Sequence, residues 1–145
     1  MRRQILVSLF FVSLVTFGVI ISVTMIKFSL PVQEGLVDIG STYNFDSANT
    51  PYLLREPEGY LVLLEGEYIF LSNRPPHPPF ANTCKIAWNV GRNQFMEPCG
   101  GSYFSIDGTL KGGPSPRSMD SYPVSVLEDS VWVDMSTLIE GAARR

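Results

Sequence analysis

Few side chains in this sequence could do catalytic chemistry. The one histidine, His77, lies in the run R-P-P-H-P-P-F, and the two cysteines are Cys84 and Cys99. Histidine is the usual general base, but no G-x-S-x-G elbow, H-E-x-x-H pair or glycine-rich phosphate loop accompanies it. The sequence therefore gives no support to a nucleophilic hydrolase, a zinc protease or a nucleotide-binding protein. We expect His77 to be a solvated loop residue in preference to a catalytic or ligand residue.

Carboxylates are the other candidates, because a pair of them can act as general acid and general base. Glu56, Glu58, Glu65 and Glu67 flank apparent turns, where solvated charge is the expected state. A paired-acid site is the less favoured alternative. We therefore predict no catalytic residues and a protein that is not itself an enzyme.

The charge distribution argues against a nucleic-acid partner. The chain has 11 basic and 14 acidic residues, and its net charge is −3. Three of the basic residues, Arg2, Arg3 and Lys27, precede Phe28, so that 8 basic and 14 acidic residues remain after it. A domain with this excess of acid has no basic surface to neutralise phosphates.

The first residues read as a membrane anchor. From Ile5 to Ile26 the chain is apolar or weakly polar and carries no charge, and a helix of this length spans about 33 Å. Because Arg2 and Arg3 precede the run, the positive-inside rule predicts a cytoplasmic N-terminus. The R-R-Q-I-L start also fits a weak twin-arginine export pattern, which stays open as an alternative. We predict an anchor at residues 1–27, a tether at 28–35 and a domain at 36–145 on the periplasmic, lumenal or extracellular side.

The remainder of the chain predicts an all-β domain of small antiparallel sheets. Short apolar or alternating runs are separated by turn residues, as in P-E-G, E-G-E, V-G-R-N and I-D-G-T, which suit hairpin connections. No segment after the anchor keeps a helical period for three turns, so that any helix should be short. The predicted strand runs are L-V-D-I, T-Y-N-F, P-Y-L-L, Y-L-V-L-L, Y-I-F-L, F-M, Y-F-S-I, Y-P-V-S-V-L and V-W-V.

The segment from Cys84 to Pro116 carries a specific family pattern. It includes C-K-I-A-W-N, F-M-E-P-C-G-G-S-Y and G-G-P-S-P. It closely resembles the second half of the Rieske iron–sulfur subunits of quinol-oxidising cytochrome complexes, in particular the chloroplast and cyanobacterial type. Those subunits carry C-T-H-L-G-C, a W-N-containing hairpin, F-x-C-P-C-H-G-S-x-Y and a G-P-A-P loop. The matching positions are Trp88, Asn89, Phe95, Pro98, Cys99, Gly101, Ser102, Gly108, Gly113, Pro114 and Pro116.

The resemblance also indicates what this chain has lost. The family's first cysteine and histidine ligands fall on Pro79 and Ala81, and its second pair falls on Glu97 and Gly100. Proline, alanine and glycine side chains offer no donor atom, and one carboxylate cannot replace two thiolates and two imidazoles. We therefore predict that the chain binds no two-iron two-sulfur cluster and no metal. Ser102 falls where the family places a hydroxyl donor to a cluster sulfur.

The resemblance implies that Cys84 and Cys99 match the family's non-ligand pair and form a disulfide. An oxidising compartment would favour this bond. The proline-rich segment before Cys84 has two interpretations: a loop stiffened by fixed φ angles in the absence of a metal, or an exposed connector.

The leading hypothesis for function is a cluster-free Rieske-like accessory or structural subunit of a membrane electron-transfer complex, with cytochrome-containing protein partners. One alternative is an independent envelope-facing binding or assembly factor. Another is a redox protein that uses a different metal or the disulfide. The candidate interface consists of Phe80, Tyr103 and the proline loop, whose residues are Gly113, Pro114, Ser115 and Pro116.

Overall fold

The computed structural model describes residues 35–77 and 83–144, together with Ser13 and Thr16. The chain divides into two compact units, Met1–Gln33 and Glu34–Arg145. Among the described residues, no helix is both long enough and apolar enough to cross a membrane. Apart from Ser13, Thr16 and Gly35, the predicted anchor and tether lie outside the described residues.

The second unit is all-β over its described residues, with eleven strands in three antiparallel sheets. This confirms the all-β, antiparallel part of the predicted fold class. The strands are β1 (Leu36–Ser41), β2 (Tyr52–Arg55), β3 (Glu58–Leu64), β4 (Glu67–Ser72), β5 (Ala87–Asn89), β6 (Gln94–Met96), β7 (Tyr103–Phe104), β8 (Leu110–Gly112), β9 (Ser121–Tyr122), β10 (Val124–Leu127) and β11 (Ser130–Asp134).

Hairpins account for most of the strand pairing. The sheet orders are β1-β11-β10, β2-β3-β4-β9 and β5-β6-β7-β8. Leu64 pairs with Glu67 and Asn89 with Gln94, so that two turns fall at E-G-E and V-G-R-N as predicted. Arg55 pairs with Glu58, so that the first turn is Glu56–Pro57, and the Glu58 and Gly59 of the predicted P-E-G turn belong to β3 instead. The four predicted turn carboxylates, Glu56, Glu58, Glu65 and Glu67, are exposed.

The sheet that contains β3 lies between the other two and buries both of its faces. Side chains of a strand alternate between its two faces. On β3, Tyr60 and Val62 pack with Phe95 and Phe104 of the third sheet. Leu61 packs on the other side, with Val131 of β11. The domain therefore has two hydrophobic cores, and the third sheet carries the segment that matches the family pattern.

The run Thr42–Phe45, predicted as a strand, is instead a 3-10 helix. The Ser41 hydroxyl accepts a hydrogen bond from the Tyr43 backbone N–H at 3.4 Å, which caps the first turn. Phe45 is buried in the core beside Val131 and Val133. The T-Y-N-F pattern suits a single turn as well as a strand, and tight winding is what brings Phe45 into this core.

Two short strands lie outside the predicted apolar runs. Ala87–Asn89 corresponds to the W-N hairpin that only the family resemblance indicated. Leu110–Gly112 follows the I-D-G-T turn and contains one apolar side chain, a lysine and a glycine. Strands of this composition are held by backbone pairing, since they carry little hydrophobic pattern of their own.

Candidate functional site

The predicted disulfide between Cys84 and Cys99 is present, which confirms that prediction. The two Cα atoms are 6.3 Å apart and 15 residues separate them in sequence. Cys84 is buried, with 4% of its surface exposed, whereas Cys99 is exposed. The bond therefore ties the segment after β4 to the turn that connects β6 and β7.

Glu97 is the first residue of that turn and is fully buried, at 0% exposure. Its backbone N–H donates to the Ser102 carbonyl, and its carbonyl accepts from the Gly101 N–H, both at 2.9 Å. Its Oε1 atom accepts a hydrogen bond from the Gly100 N–H at 3.0 Å. The carboxylate thus points into the protein, at a position where the resemblance placed a cluster ligand.

Gly100 makes room for this carboxylate. A Cβ atom at position 100 would lie 2.9 Å from both carboxylate oxygens of Glu97. The two residues that the resemblance matches to the second ligand pair are therefore in direct contact. The Glu97 side chain takes the space that a side chain at position 100 would need.

His77 is not the solvated loop residue that the sequence predicted. Its side chain is 12% exposed, and its Nε2 atom lies 3.9 Å from the Glu97 Oε2 atom. Pro75 and Pro76 are also buried, so that this half of the proline-rich segment is not an exposed connector. His77 thus lies beside the Glu97 turn, although the two residues are 20 positions apart in sequence.

Ser102 joins the Glu97 turn to the proline loop. It is fully buried, and its Oγ atom accepts a hydrogen bond from the Ser115 N–H at 3.0 Å. Gly113 approaches the same residue, since a Cβ atom there would lie 2.3 Å from the Ser102 Cα atom. In this structure the Ser102 hydroxyl thus positions the proline loop.

The carboxyl-terminal segment holds the other side of the proline loop. Arg144 donates from its backbone N–H to the Pro116 carbonyl and from Nη1 to the Gly113 carbonyl, each at 2.8 Å. Ser118 donates to the Ala142 carbonyl at 2.9 Å. The Gly113 and Pro116 carbonyls, one at each end of the loop, therefore both accept hydrogen bonds from Arg144.

One ion pair extends the site toward β3. Lys85, next to the disulfide, pairs with Glu58. The hydrogen bond from Lys85 is the largest cause that lowers the pKa of the Glu58 carboxyl, with Asn73 as a second donor. Both partners are exposed, so the pair adds orientation and little stability.

The structure brings most of the predicted surface residues together. Tyr103 is 38% exposed and pairs in register with Gly112, next to the proline loop. Pro114 and Pro116 are exposed, whereas Ser115 is fully buried. We call Tyr103, Pro114 and Pro116 the proline-loop patch. Phe80, the other predicted interface residue, lies outside the described residues, as do Pro79 and Ala81.

The donor set of this chain does not fit a Rieske cluster. Such a cluster needs two cysteine thiolates and two histidines. The chain has two cysteines and one histidine, and the two cysteines are bonded to each other. Within residues 35–77 and 83–144, no group of three or more histidine, cysteine or carboxylate side chains converges as a metal site.

The burial of Glu97 and its contact with His77 were not predicted from the sequence. The charge-free neighbourhood of Glu97, in the run Q-F-M-E-P-C-G-G-S-Y, is the one signal that could have indicated burial. The partner could not be read from the sequence, because the contact depends on how two separate loops pack.

Two curated relatives carry the name cytochrome b6-f complex iron-sulfur subunit. The protein from Parasynechococcus marenigrum (strain WH8102) is 28% identical over 158 residues, which covers 94% of this chain and 85% of that protein. The protein from Synechococcus sp. (strain WH7803) is 43% identical over 54 residues, which covers 37% of this chain and 30% of that protein. No family model matches the chain.

Among solved structures, the cyanobacterial plasma membrane Rieske protein PetC3 from Synechocystis PCC 6803 has a TM-score of 0.51 to this chain. The match covers 67% of this chain and 97% of that chain, at 20% identity. At this identity the structural match shows the fold alone. The chain is related in sequence to the Rieske iron–sulfur subunits of cytochrome b6-f complexes, and its β domain has a Rieske-like fold.

Proposed function

We propose that this protein is a cluster-free Rieske-like accessory subunit of a membrane electron-transfer complex of the quinol–cytochrome type. The observation that carries the proposal is the Glu97 carboxylate, which is fully buried against Gly100. These are the two positions where the second pair of cluster ligands is expected. A side chain that fills this space leaves a Rieske scaffold without the means to carry an electron through a cluster.

The partner class in this proposal comes from the named relatives. Their printed names describe subunits of a cytochrome b6-f complex. A chain that keeps the scaffold and the disulfide but lacks the cluster ligands still keeps the surface and the shape of the Rieske-like domain. Docking against cytochrome-containing subunits is a role that needs only these.

The membrane part of the proposal rests on the sequence. Residues 1–27 are the proposed anchor and residues 28–35 the tether, with the N-terminus cytoplasmic and the domain on the other side of the membrane. An alignment that covers 94% of the chain extends into residues 1–27. The uncharged run within them has the length of a membrane span.

The proposed contact with the partner is the proline-loop patch together with Phe80. The loop that carries the exposed residues Pro114 and Pro116 is fixed at both ends by hydrogen bonds. Tyr103 on β7 adds exposed apolar surface beside it. A fixed surface loses little conformational entropy when it binds. With no electron to carry between sites, the domain has no need to swing, so that a static interface suits it.

The test is extraction of the affinity-tagged full chain from its native membrane with a mild detergent, followed by mass spectrometry and an optical haem spectrum. We expect cytochrome subunits to remain attached in stoichiometric amounts. Recovery of the chain alone, or with proteins that carry no haem, would reject the complex-subunit role and favour the assembly-factor alternative.

A further inference from the structure

We propose that Glu97, Gly100 and His77 form a coupled polar lock that holds two loops together in place of a metal cluster. The proposal rests on the proposed cluster-free function and deepens it. Its first element is the Glu97 carboxylate, which has no exposed surface. A buried ionised carboxylate costs several kcal/mol unless other groups compensate for the lost water.

Two groups offer this compensation. The Gly100 N–H donates to Oε1 at 3.0 Å. On the other side, Oε2 is buried, and no described residue gives it a hydrogen bond. The His77 Nε2 atom lies 3.9 Å from it. The His77 ring is therefore placed as the second polar partner of the carboxylate.

The Glu97 side chain sterically restricts the residue at position 100. A Cβ atom at position 100 would lie 2.9 Å from both oxygens of the carboxylate and 3.2 Å from its carbon. The backbone does not demand glycine at this position, because φ of Gly100 lies outside the left-handed range. A side chain at position 100 would therefore displace the Glu97 carboxylate from its present position, which couples the two positions.

The lock and the disulfide connect the same two segments at different points. His77 and Cys84 lie on one segment, and Glu97 and Cys99 lie on the other. A single bond leaves two loops free to pivot about it, whereas a second contact, seven residues from the disulfide on one segment and two residues from it on the other, restricts that pivoting. Within the first segment, the Ile86 N–H donates a hydrogen bond to the Asn73 carbonyl at 2.7 Å, which closes the base of the loop that carries His77 and Cys84.

The first experiment measures the coupling between positions 97 and 100. The full chain is purified in detergent micelles, and thermal unfolding is followed by tryptophan fluorescence. G100A should lower the midpoint by ~5 °C or more in the wild-type background and by less than ~2 °C in the E97A background. G91A is the matched control, because Gly91 is exposed and its Cβ atom would be 3.6 Å from the Asn89 side-chain oxygen. Equal shifts from G100A in both backgrounds would overturn the lock.

A second cycle keeps the proposal testable if E97A does not fold. E97Q keeps the shape of the side chain and removes its charge, and H77Q removes the imidazole. We expect each single variant to lower the midpoint and the double variant to lower it by clearly less than the sum. Additive shifts would show that His77 and Glu97 do not act as a pair.

Iron analysis of the same wild-type preparation separates the two proposals. An iron-free wild type with uncoupled variants would remove the lock and leave the accessory role intact. A wild type with two iron atoms per chain would remove the accessory role itself, and the lock with it.

Discussion

Gly113 is the residue at which the proline loop comes closest to the Glu97 turn. Its φ is +94°, and a Cβ atom there would lie 2.3 Å from the Ser102 Cα atom. Gly66 has a similar φ of +88° with nothing within 4 Å of the added atom. G66A should therefore cost about 1–2 kcal/mol in unfolding free energy from backbone strain alone, and G113A should cost clearly more.

Denaturant unfolding of the full chain in micelles, followed by tryptophan fluorescence, measures both values. The comparison isolates the close approach, because the two glycines have similar positive φ angles. A cost for G113A no greater than that for G66A would mean that the proline loop can move away from Ser102 at no expense.

Asp107 gives stability that depends on pH. Burial raises the pKa of its carboxyl, but the hydrogen bonds from Ser105 and from the Thr109 hydroxyl and N–H outweigh burial and lower it. A lowered folded-state pKa contributes stability above the ordinary Asp value of about 3.9, and this contribution is lost as the pH falls through the folded value. D107N should thus be less stable than wild type at pH 7.

The difference between D107N and wild type should shrink as the pH falls below about 4. Unfolding midpoints measured from pH 7 to pH 3 test this directly. D129N is a suitable control, since Asp129 is an exposed turn carboxylate. A D107N deficit that stays constant across this range would show that the charge of Asp107 contributes nothing.

At the scale of elements, the Cys84–Cys99 disulfide links the segment before β5 to the turn between β6 and β7 of the third sheet. In the chain-entropy model, closing a loop of about 15 residues stabilises the fold by about 3 kcal/mol. We expect C84A/C99A to lower the unfolding free energy by roughly this amount. Alanine is chosen because Cys84 is buried and a serine hydroxyl there would need a partner.

Wild-type protein unfolded in the presence of a reductant is the control for that variant. The two should have similar unfolding midpoints, because both lack the bond. Mass spectrometry of alkylated, unreduced protein should find neither thiol labelled. A loss of stability below about 1 kcal/mol would mean that the unfolded chain gains little freedom when the bond is absent.

Local pattern accounts for most of the strands and for little of the site. The E-G-E and V-G-R-N turns were predictable from their amino-acid types. Gly66 in the first turn and the residues around Gly91 in the second are of types that tight hairpin turns favour. The 3-10 helix was not, since burial of Phe45 decides between a turn and a strand. The contact of His77 with Glu97 was not predictable either, because it depends on the packing of two loops and not on either loop alone.

The whole molecule is expected to work through the proline-loop patch. Y103E should release the subunit from its complex without unfolding it, because a charge placed in a static apolar interface loses its water without gaining a partner. Y43E is the matched control, since Tyr43 is 79% exposed and lies on the 3-10 helix between β1 and β2, outside the proline-loop patch. Co-purification with cytochrome subunits is the measurement.

The outcome for Y103E also distinguishes two parts of the molecule as carriers of the interaction. Loss of co-purification in Y103E but not in Y43E supports the patch. Retention in Y103E, together with loss when residues 1–27 are replaced by an unrelated membrane span, would assign the contact to the proposed anchor.

We propose that this Rieske-like domain carries no two-iron two-sulfur cluster. Its two cysteines are joined to each other, its single histidine faces Glu97, and Glu97 fills the space beside Gly100. The most direct test is the iron and acid-labile sulfide content of the full chain, purified without oxygen from its native membrane, with low-temperature EPR after reduction. We predict iron well below one atom per chain and no Rieske-type signal. Two iron and two sulfide per chain with such a signal would show that the domain holds a Rieske cluster.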